Sequence, residues 1–381
     1  MKLLHISDLH LGRSLQAFSL LDVQRDFLAQ VLDYIRKNHV DALLLCGDIY
    51  ARTMPSLGAV ELLNSFLVSL HEVDLPVLVI SGNHDSPERL CFLGDLLAKS
   101  RIYLSGAGYT LGQAPVTLMD EYGPVDFHLL PFFRPGVIRA QAPEESIDGY
   151  DDAVRVAVEH MPIRPERRNV LLAHQFVTSQ GGDVVRSESE LLFMGGTEAV
   201  SASHFDAFDY VALGHLHRCQ QVGRESIRYA GAPLKYSVSE ADDQKYFLTV
   251  ELGPKGAVQV EKKPVTPSVD LRRLQGTMDE LLSRPVDRPQ DFFAITLTDD
   301  NPVFDAMQRL RTRFPHAVSV RMLRDDAAPS TLYSPIDKGR LSDPMALFEQ
   351  FYRESTGREM SDSERGDILA ALKDTNEEAI L

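Results

Sequence analysis

The sequence predicts an α/β layered fold, and three observations carry that expectation. Short apolar runs recur along the first two thirds of the chain, helical patterns lie between several of them, and the character changes at a proline-marked stretch near residue 265. The runs cover residues 3–6, 42–46, 77–80, 125–130, 170–173 and 210–213. Each is short and nearly continuous, as strands buried on both faces are. Between the first two, residues 21–38 place Val23, Phe27, Val31 and Ile35 at four-residue steps, one face of a helix. Residues 59–70 repeat the pattern with Leu62, Leu63, Phe66, Leu67 and Leu70. Alternating strand and helix is the mark of an α/β domain. The regularity lapses between Gly106 and Gln141, where glycine and proline punctuate shorter strands.

Two prolines in Lys262-Lys263-Pro264-Val265-Thr266-Pro267 suit a connector between domains. Beyond it, 291–297 reads as a strand, 303–314 as a helix and 317–323 as a strand, a small α+β unit. A polar stretch over 324–343 follows, and then two helices. Asp343-Pro344 opens the first by N-cap and N1 chemistry, with Leu347, Phe348 and Phe351 on one face. The second runs over 361–373, with Ser361 and Glu364 as a capping box. The expected domains are therefore 1–265, 266–325 and 326–381. A chain of 381 residues suits two or three units.

Composition narrows the class. Hydrophobic residues at 44% and charged residues at 25% describe a globular protein, and no apolar run reaches the length of a membrane span. The opening residues lack the pattern of a signal peptide, so the cytoplasm is the expected compartment. Cys46, Cys91 and Cys219 are widely spaced, which argues against a disulfide framework or a thiolate zinc site. A net charge of −16 disfavours nucleic-acid binding by bulk charge. Phosphates would need bound cations, a local basic patch or a basic partner.

The informative feature is where metal-type residues fall. Asp8 and His10 follow the first strand, Gly47-Asp48 the second and Gly82-Asn83-His84-Asp85 the third. Ala173-His174 ends another, and Gly214-His215-Leu216-His217 follows the last. Ligands of open α/β sheets gather at the carboxyl ends of the strands, so five segments would deliver their polar heads to one rim. Singly, each has a plain structural explanation: Gly-Asp is a common strand-ending turn with an Asx hydrogen bond. Gly-His-Leu-His is the strongest single signal, because alternation in extended chain puts both imidazoles on one side. His5, His39, His71, His128, His160, His204 and His316 have no such setting and are read as structural. Hard oxygen donors with imidazole and no thiolate suit Mn²⁺, Fe²⁺ or Zn²⁺ better than Ca²⁺. Asp48 is the natural bridging carboxylate, and two bridged cations ~3.5–4 Å apart would serve an in-line displacement at phosphorus.

Together these motifs resemble the calcineurin-like metallophosphoesterase superfamily. The flanks, Leu4-His5-Ile6-Ser7-Asp8-Leu9-His10-Leu11-Gly12 and Tyr210-Val211-Ala212-Leu213-Gly214-His215-Leu216-His217-Arg218, resemble its branch of bacterial DNA-repair nuclease subunits. So does Arg228-Tyr229-Ala230-Gly231-Ala232-Pro233, although that branch commonly has Gly-Ser-Pro there. The resemblance implies a four-layered αββα sandwich with a small cap domain and C-terminal helices. It implies that Asp8, His10 and His217 hold one metal, that Asn83, His174 and His215 hold the other, and that Asp48 is shared. His84, assisted by Asp85, would protonate or orient the leaving oxygen, a role typically worth ~10²–10⁴ in rate. It further implies two Mn²⁺ ions, DNA as substrate and an ABC-type coiled-coil ATPase as partner. A homodimer within a heterotetramer is expected, associated with the bacterial nucleoid in DNA repair, recombination and replication. The competing readings are a small-molecule phosphodiesterase or phosphatase on the same scaffold, and a scaffold whose metals only hold a partner surface.

Overall fold

In the computed structural model, which describes residues 1–179, 184–185, 198–323, 352, 360–361 and 365–366, all six apolar runs are strands. The strands before the midpoint are β1 (Lys2–Ile6), β2 (Ala42–Cys46), β3 (Val77–Ile80), β4 (Ile102–Ser105), β5 (Val116–Asp120) and β6 (Gly123–Leu130). After them come β7 (Arg168–His174), β8 (Tyr210–Gly214), β9 (Gln220–Val222), β10 (Arg224–Tyr229), β11 (Tyr246–Leu252) and β12 (Val258–Pro264). They build two six-stranded sheets. The first has the order β12-β11-β1-β2-β3-β4, parallel from β1 to β4 and antiparallel beyond. The second has the order β9-β10-β8-β7-β6-β5, parallel through its four central strands with an antiparallel strand at each edge.

The period-two alternation of strand side chains explains the layering. In the first sheet, Leu4, Ile6, Leu43, Leu45, Val77 and Val79 share a core with Phe27, Val31, Leu62 and Phe66. Those partners belong to helices α1 (Leu21–Asn38) and α2 (Leu57–Glu72). The intervening positions, Leu3, Ala42, Leu44, Leu78 and Ile80, meet Val170, Leu172, Tyr210 and Ala212 of the second sheet. That sheet's other face, Leu171, Ala173, Val211 and Leu213, packs on a third cluster with Ile138, Ala153, Val154 and Ala157. Two short helices, α3 (Pro87–Leu90) and α4 (Gly94–Ala98), precede α5 (Pro135–Gln141) and α6 (Tyr150–Glu159), which supply that cluster. The order is helix, sheet, sheet, helix: a four-layered αββα sandwich, as expected.

Two expectations change. Lys262, Lys263 and Pro264 are not connector but the end of β12, where Pro264 lies opposite Tyr246. An edge strand tolerates proline because its outer N–H side needs no partner. The helix expected over 303–314 is only α8 (Ala306–Arg311), because Asp305 before it takes a left-handed backbone, φ 52°. Preceding it, α7 (Met278–Ser283) starts at a Thr277–Glu280 capping box.

The chain divides into two compact units, Met1–Thr296 with Val303–Val320, and Leu297–Pro302 with Arg321–Leu381. Strands β13 (Leu271–Gly276), β14 (Phe292–Leu297) and β15 (Ala317–Met322) form a three-stranded sheet in that order. Within the first unit, Leu271, Phe292, Ala294 and Val318 share a core with Leu15, Leu20, Val23, Leu234 and Tyr236. The helices expected over 343–351 and 361–373 lie outside the described residues, apart from Ser361, Arg365 and Gly366. No helix among the described residues is long and apolar enough to cross a membrane.

Candidate metal centre

The five motifs meet at the carboxyl ends of β1, β2, β3, β7 and β8. Sharp turns put them there. Asp8, His10, Asp48 and His215 all have positive φ, at 53°, 43°, 49° and 104°. Left-handed backbone at a non-glycine residue costs on the order of 1–3 kcal/mol and persists only where surrounding structure fixes it. Here it is fixed by cross-strand bonds: Asp8 N–H donates to Gly47 O at 3.1 Å and His10 N–H to Asp48 O at 2.9 Å. Glycine is required where strands crowd. A Cβ on Gly47 (φ +82°) would lie 2.2 Å from His174 Nδ1, and one on Gly214 would lie 1.8 Å from Cys46 O.

Two nests of donor atoms result. Asp8, His10 and His217 present ligand atoms within 4.8 Å of one another, and so do Asp8, Asp48 and His174. His10 Nε2 faces His217 Nε2 at 3.1 Å. Asn83 Oδ1 lies 3.0 Å from both His174 Nε2 and His215 Nδ1. Asp48 Oδ2 sits between the nests, 3.6 Å from His10 Nε2 and 3.5 Å from His174 Nε2. That is where a bridging carboxylate belongs. Asp8, His10, Asp48, His174 and His217 are all buried, while Asn83 is half-buried.

The protonation chemistry fits bound cations. His174 Nδ1–H donates to Cys46 O at 2.8 Å, which leaves Nε2 as a lone pair turned inward. His10 Nδ1 is buried with no hydrogen-bond partner among the described residues. Burial pushes the Asp8 carboxyl up to about 6. Burial also disfavours the charge on Asp48, but the imidazoles of His174, His10 and His84 overcome it and hold that carboxyl well below its usual range. Burial pushes the His215 imidazole down to about 3, so it offers a neutral nitrogen. Among the described residues neither Asp8 nor Asp48 pairs with Lys or Arg. Against its burial, the Asp48 and Asp8 carboxylates in turn push the His174 imidazole up to about 9; divalent cations would supply that positive charge in place of the proton. Asp8, His10, Asp48, Asn83, His174, His215 and His217 could hold them.

His84 stands at the mouth, its ring edge-on to His10 at 4.9 Å and its Nε2 4.0 Å from Asp48 Oδ2. Its backbone N–H donates to Asp48 Oδ1 at 2.9 Å, so ring and bridge are placed together. Burial lowers its basicity. Asp85 does something different. Its carboxylate accepts from the backbone N–H groups of Tyr50, Gly82 and Ile49 at 2.8, 2.9 and 3.1 Å. Those bonds lock the Asn83 loop onto the loop of Asp48.

Two buried residues lay beyond sequence reasoning. Glu240 is fully buried, with Oε1 3.5 Å from His217 Nδ1 and Oε2 2.5 Å from Lys245 Nζ. It orients the His217 ring so that Nε2 faces His10, as outer-shell carboxylates do for metal-binding histidines. Gln24 on α1 donates to the carbonyls of Leu9 and His10 at 3.1 and 2.8 Å and fixes the first loop. Neither lies in a motif; only distance in space marks them. Of the histidines read as structural, His5 bonds Tyr210 Oη and Leu213 O inside the sandwich, and His204 bonds Asp151.

Comparison with known proteins shows the family. A model of the calcineurin-like phosphoesterase family matches residues 1–219, and a model described as the type 5 capsule protein repressor C-terminal domain matches 267–356. The chain is 28% identical to the SbcD subunit of nuclease SbcCD from Staphylococcus epidermidis over 366 residues, 95% of each chain. It is 29% identical to the same-named protein of Staphylococcus saprophyticus over 368 residues, again 95% of each. The solved structure of TT1561 from Thermus thermophilus aligns with 68% of this chain and 98% of its own, with a TM-score of 0.37 and 13% identity. Fold, donor set and matched domain coincide over the same residues, and the chain belongs to the calcineurin-like phosphoesterase family.

Proposed function

We propose that this chain is a metal-dependent DNA nuclease, a 3′→5′ exonuclease on duplex ends and an endonuclease on hairpins and single strands. It hydrolyses phosphodiester bonds as one subunit of a complex with an ABC-type coiled-coil ATPase, in DNA repair and recombination. One observation carries the reading: the seven-residue donor set lies in a chain that aligns with two nuclease subunits over 95% of its length, past the phosphoesterase domain. A phosphatase acting on small molecules would share the donor set without that further match.

Asp8, His10 and His217 would hold one cation and Asn83, His174 and His215 the other, with Asp48 between. Two Mn²⁺ ions are the proposed complement, which suits mixed oxygen and imidazole donors. Bound there, they would acidify water and offset charge building on the phosphoryl oxygens. The protein's own groups do the rest. Asp85 fixes the loop that presents Asn83 and His84, and Glu240 fixes the ring of His217. His84, half-buried at the mouth, is free to approach the scissile bond and deliver a proton to the leaving oxygen. The exposed apolar side chains of Met54, Leu57, Phe92, Leu93 and Leu96, on and around α2 to α4, support a homodimer within the complex.

His84→Ala tests the assignment. Loss of about 10²–10⁴ in DNA cleavage is expected, with metal content by elemental analysis near wild type. Cleavage at the wild-type rate would remove His84 from the mechanism. Turnover of a DNA hairpin against a small nitrophenyl diester separates nuclease from small-molecule phosphodiesterase. Affinity capture from native cells is expected to return a large coiled-coil ATPase.

A further inference from the structure

Beside Asn83 the surface opens into a groove of about 450 Å³. The segment that follows β6, Pro131-Phe132-Phe133-Arg134, forms one wall, and Asn83 forms part of another. The Phe132 backbone is anchored, because its N–H donates to Ser81 O at 2.9 Å and ties the end of β6 to the end of β3. Asn83 lies two residues beyond that tie. The Phe132 ring is half-buried and stands edge-on to His174, with centroids 6.5 Å apart. Behind it, Tyr109 stacks nearly parallel on Phe133 at 6.2 Å, and both are buried.

The charges are equally specific. Arg134 is exposed, and among the described residues its guanidinium makes no ion pair or hydrogen bond, in a chain of net charge −16. The two acidic residues of the lining are already engaged. Asp85 is held by three backbone N–H groups, and Glu88 accepts from the Ser86 hydroxyl at 3.0 Å. The groove therefore offers a π-face, an exposed cation and a direct opening to the Asn83 side chain. Its volume suits one nucleotide and is too small for a duplex.

We infer that this groove receives the base of the nucleotide next to the scissile phosphate, with Phe132 as its stacking surface and Arg134 on the following phosphate. The inference rests on the nuclease reading above and gives it a strand path: one strand, base turned into the groove, phosphate at the metal centre. Stacking tolerates any base, because every base has a π-face, and that suits an enzyme that must cut without regard to sequence.

The test uses the full-length Mn²⁺-loaded chain and single-stranded oligothymidylates carrying one abasic residue at successive positions. For the wild type, one position next to the cut is expected to raise KM by roughly ten-fold when its base is removed. Phe132→Leu is expected to raise KM by a similar factor on the intact oligonucleotide and to add nothing on the oligonucleotide abasic at that position. Phe132→Tyr is expected to restore the wild-type value. Arg134→Gln is expected to weaken binding and flatten its salt dependence by about one unit of slope. Losses from Phe132→Leu that multiply with base removal at every position would overturn the inference, and so would an unchanged KM. A wild-type protein that turns over a nitrophenyl diester but leaves oligothymidylate uncut would instead defeat the nuclease reading itself, and this strand path with it.

Discussion

The two ends of the sandwich both bury charge, and they do so in opposite ways. At the amino end of β7, Arg168 is buried against Asp120 in a two-pronged contact and also donates to Gly123 O at 2.7 Å and Gly253 O at 3.1 Å. The N-terminal ammonium joins the same carboxylate at 2.7 Å and donates to Leu252 O at 2.8 Å. Every charge there meets its opposite from within the chain. At the carboxyl end, Asp8 and Asp48 face imidazoles and backbone N–H groups, and His10 Nδ1 has no hydrogen-bond partner among the described residues. A closed network of charge stabilises a fold; an open one is made for something added from outside. Buried charges left without compensation are strongly destabilising, so the open cluster marks the functional end.

Substitutions can separate these two designs. The largest effect is expected for Asp48→Asn, which removes the carboxylate between the nests: bound metal and DNA cleavage should disappear together. Protein that keeps both metals would show that Asp48 does not bridge. Glu240→Ala should act on the same end but less, lowering metal affinity by about 10–100-fold in calorimetry, because His217 loses the carboxylate that orients it. A fall in folding stability with unchanged metal affinity would make Glu240 merely structural.

The closed end should answer only in stability. Asp120→Asn leaves Arg168 with carbonyl acceptors but no countercharge, a loss of about 2–3 kcal/mol in urea unfolding, with metal binding unaltered. The smallest effect is on the acid limb. The Arg168 guanidinium and the N-terminal ammonium hold the Asp120 carboxyl well below its usual range. Below pH ~4 the unfolded chain then binds the extra proton first, so this contribution is present above that pH and lost as acid is added. The wild type should lose stability below pH ~4 more steeply than Asp120→Asn; equal slopes would show that Asp120 is not held ionised by its neighbours.

Much of this was legible in the sequence for a physical reason. Strands buried on both faces must be apolar throughout, so the six central runs declared themselves. Their polar ends declared the site, because hydrophobic strands that end in Asp, Asn and His waste nothing on solubility. The β11–β12 hairpin was hidden: in β12, exposed Gln259, Glu261 and Lys262 interrupt the half-buried positions, and the edge position admits Pro264. Glu240 was hidden for another reason. It enters the site from a 3₁₀ turn over Val238–Glu240, some twenty residues after the last motif, and its partner Lys245 reads as surface until the burial is known. The residues that meet at the strand ends could be picked out from chain order, whereas which residue supports which is a property of space.

The centre draws Asp8, His10, Asp48 and Asn83 from one sheet, and His174, His215 and His217 from the other. Cations held there would rivet the two sheets together, so resistance to heat should climb with the concentration of free metal. A nascent chain that ends at β4 carries Asp8, His10, Asp48 and Asn83 but none of His174, His215 and His217. The proposed centre would therefore be complete only once β7 and β8 have been added to it.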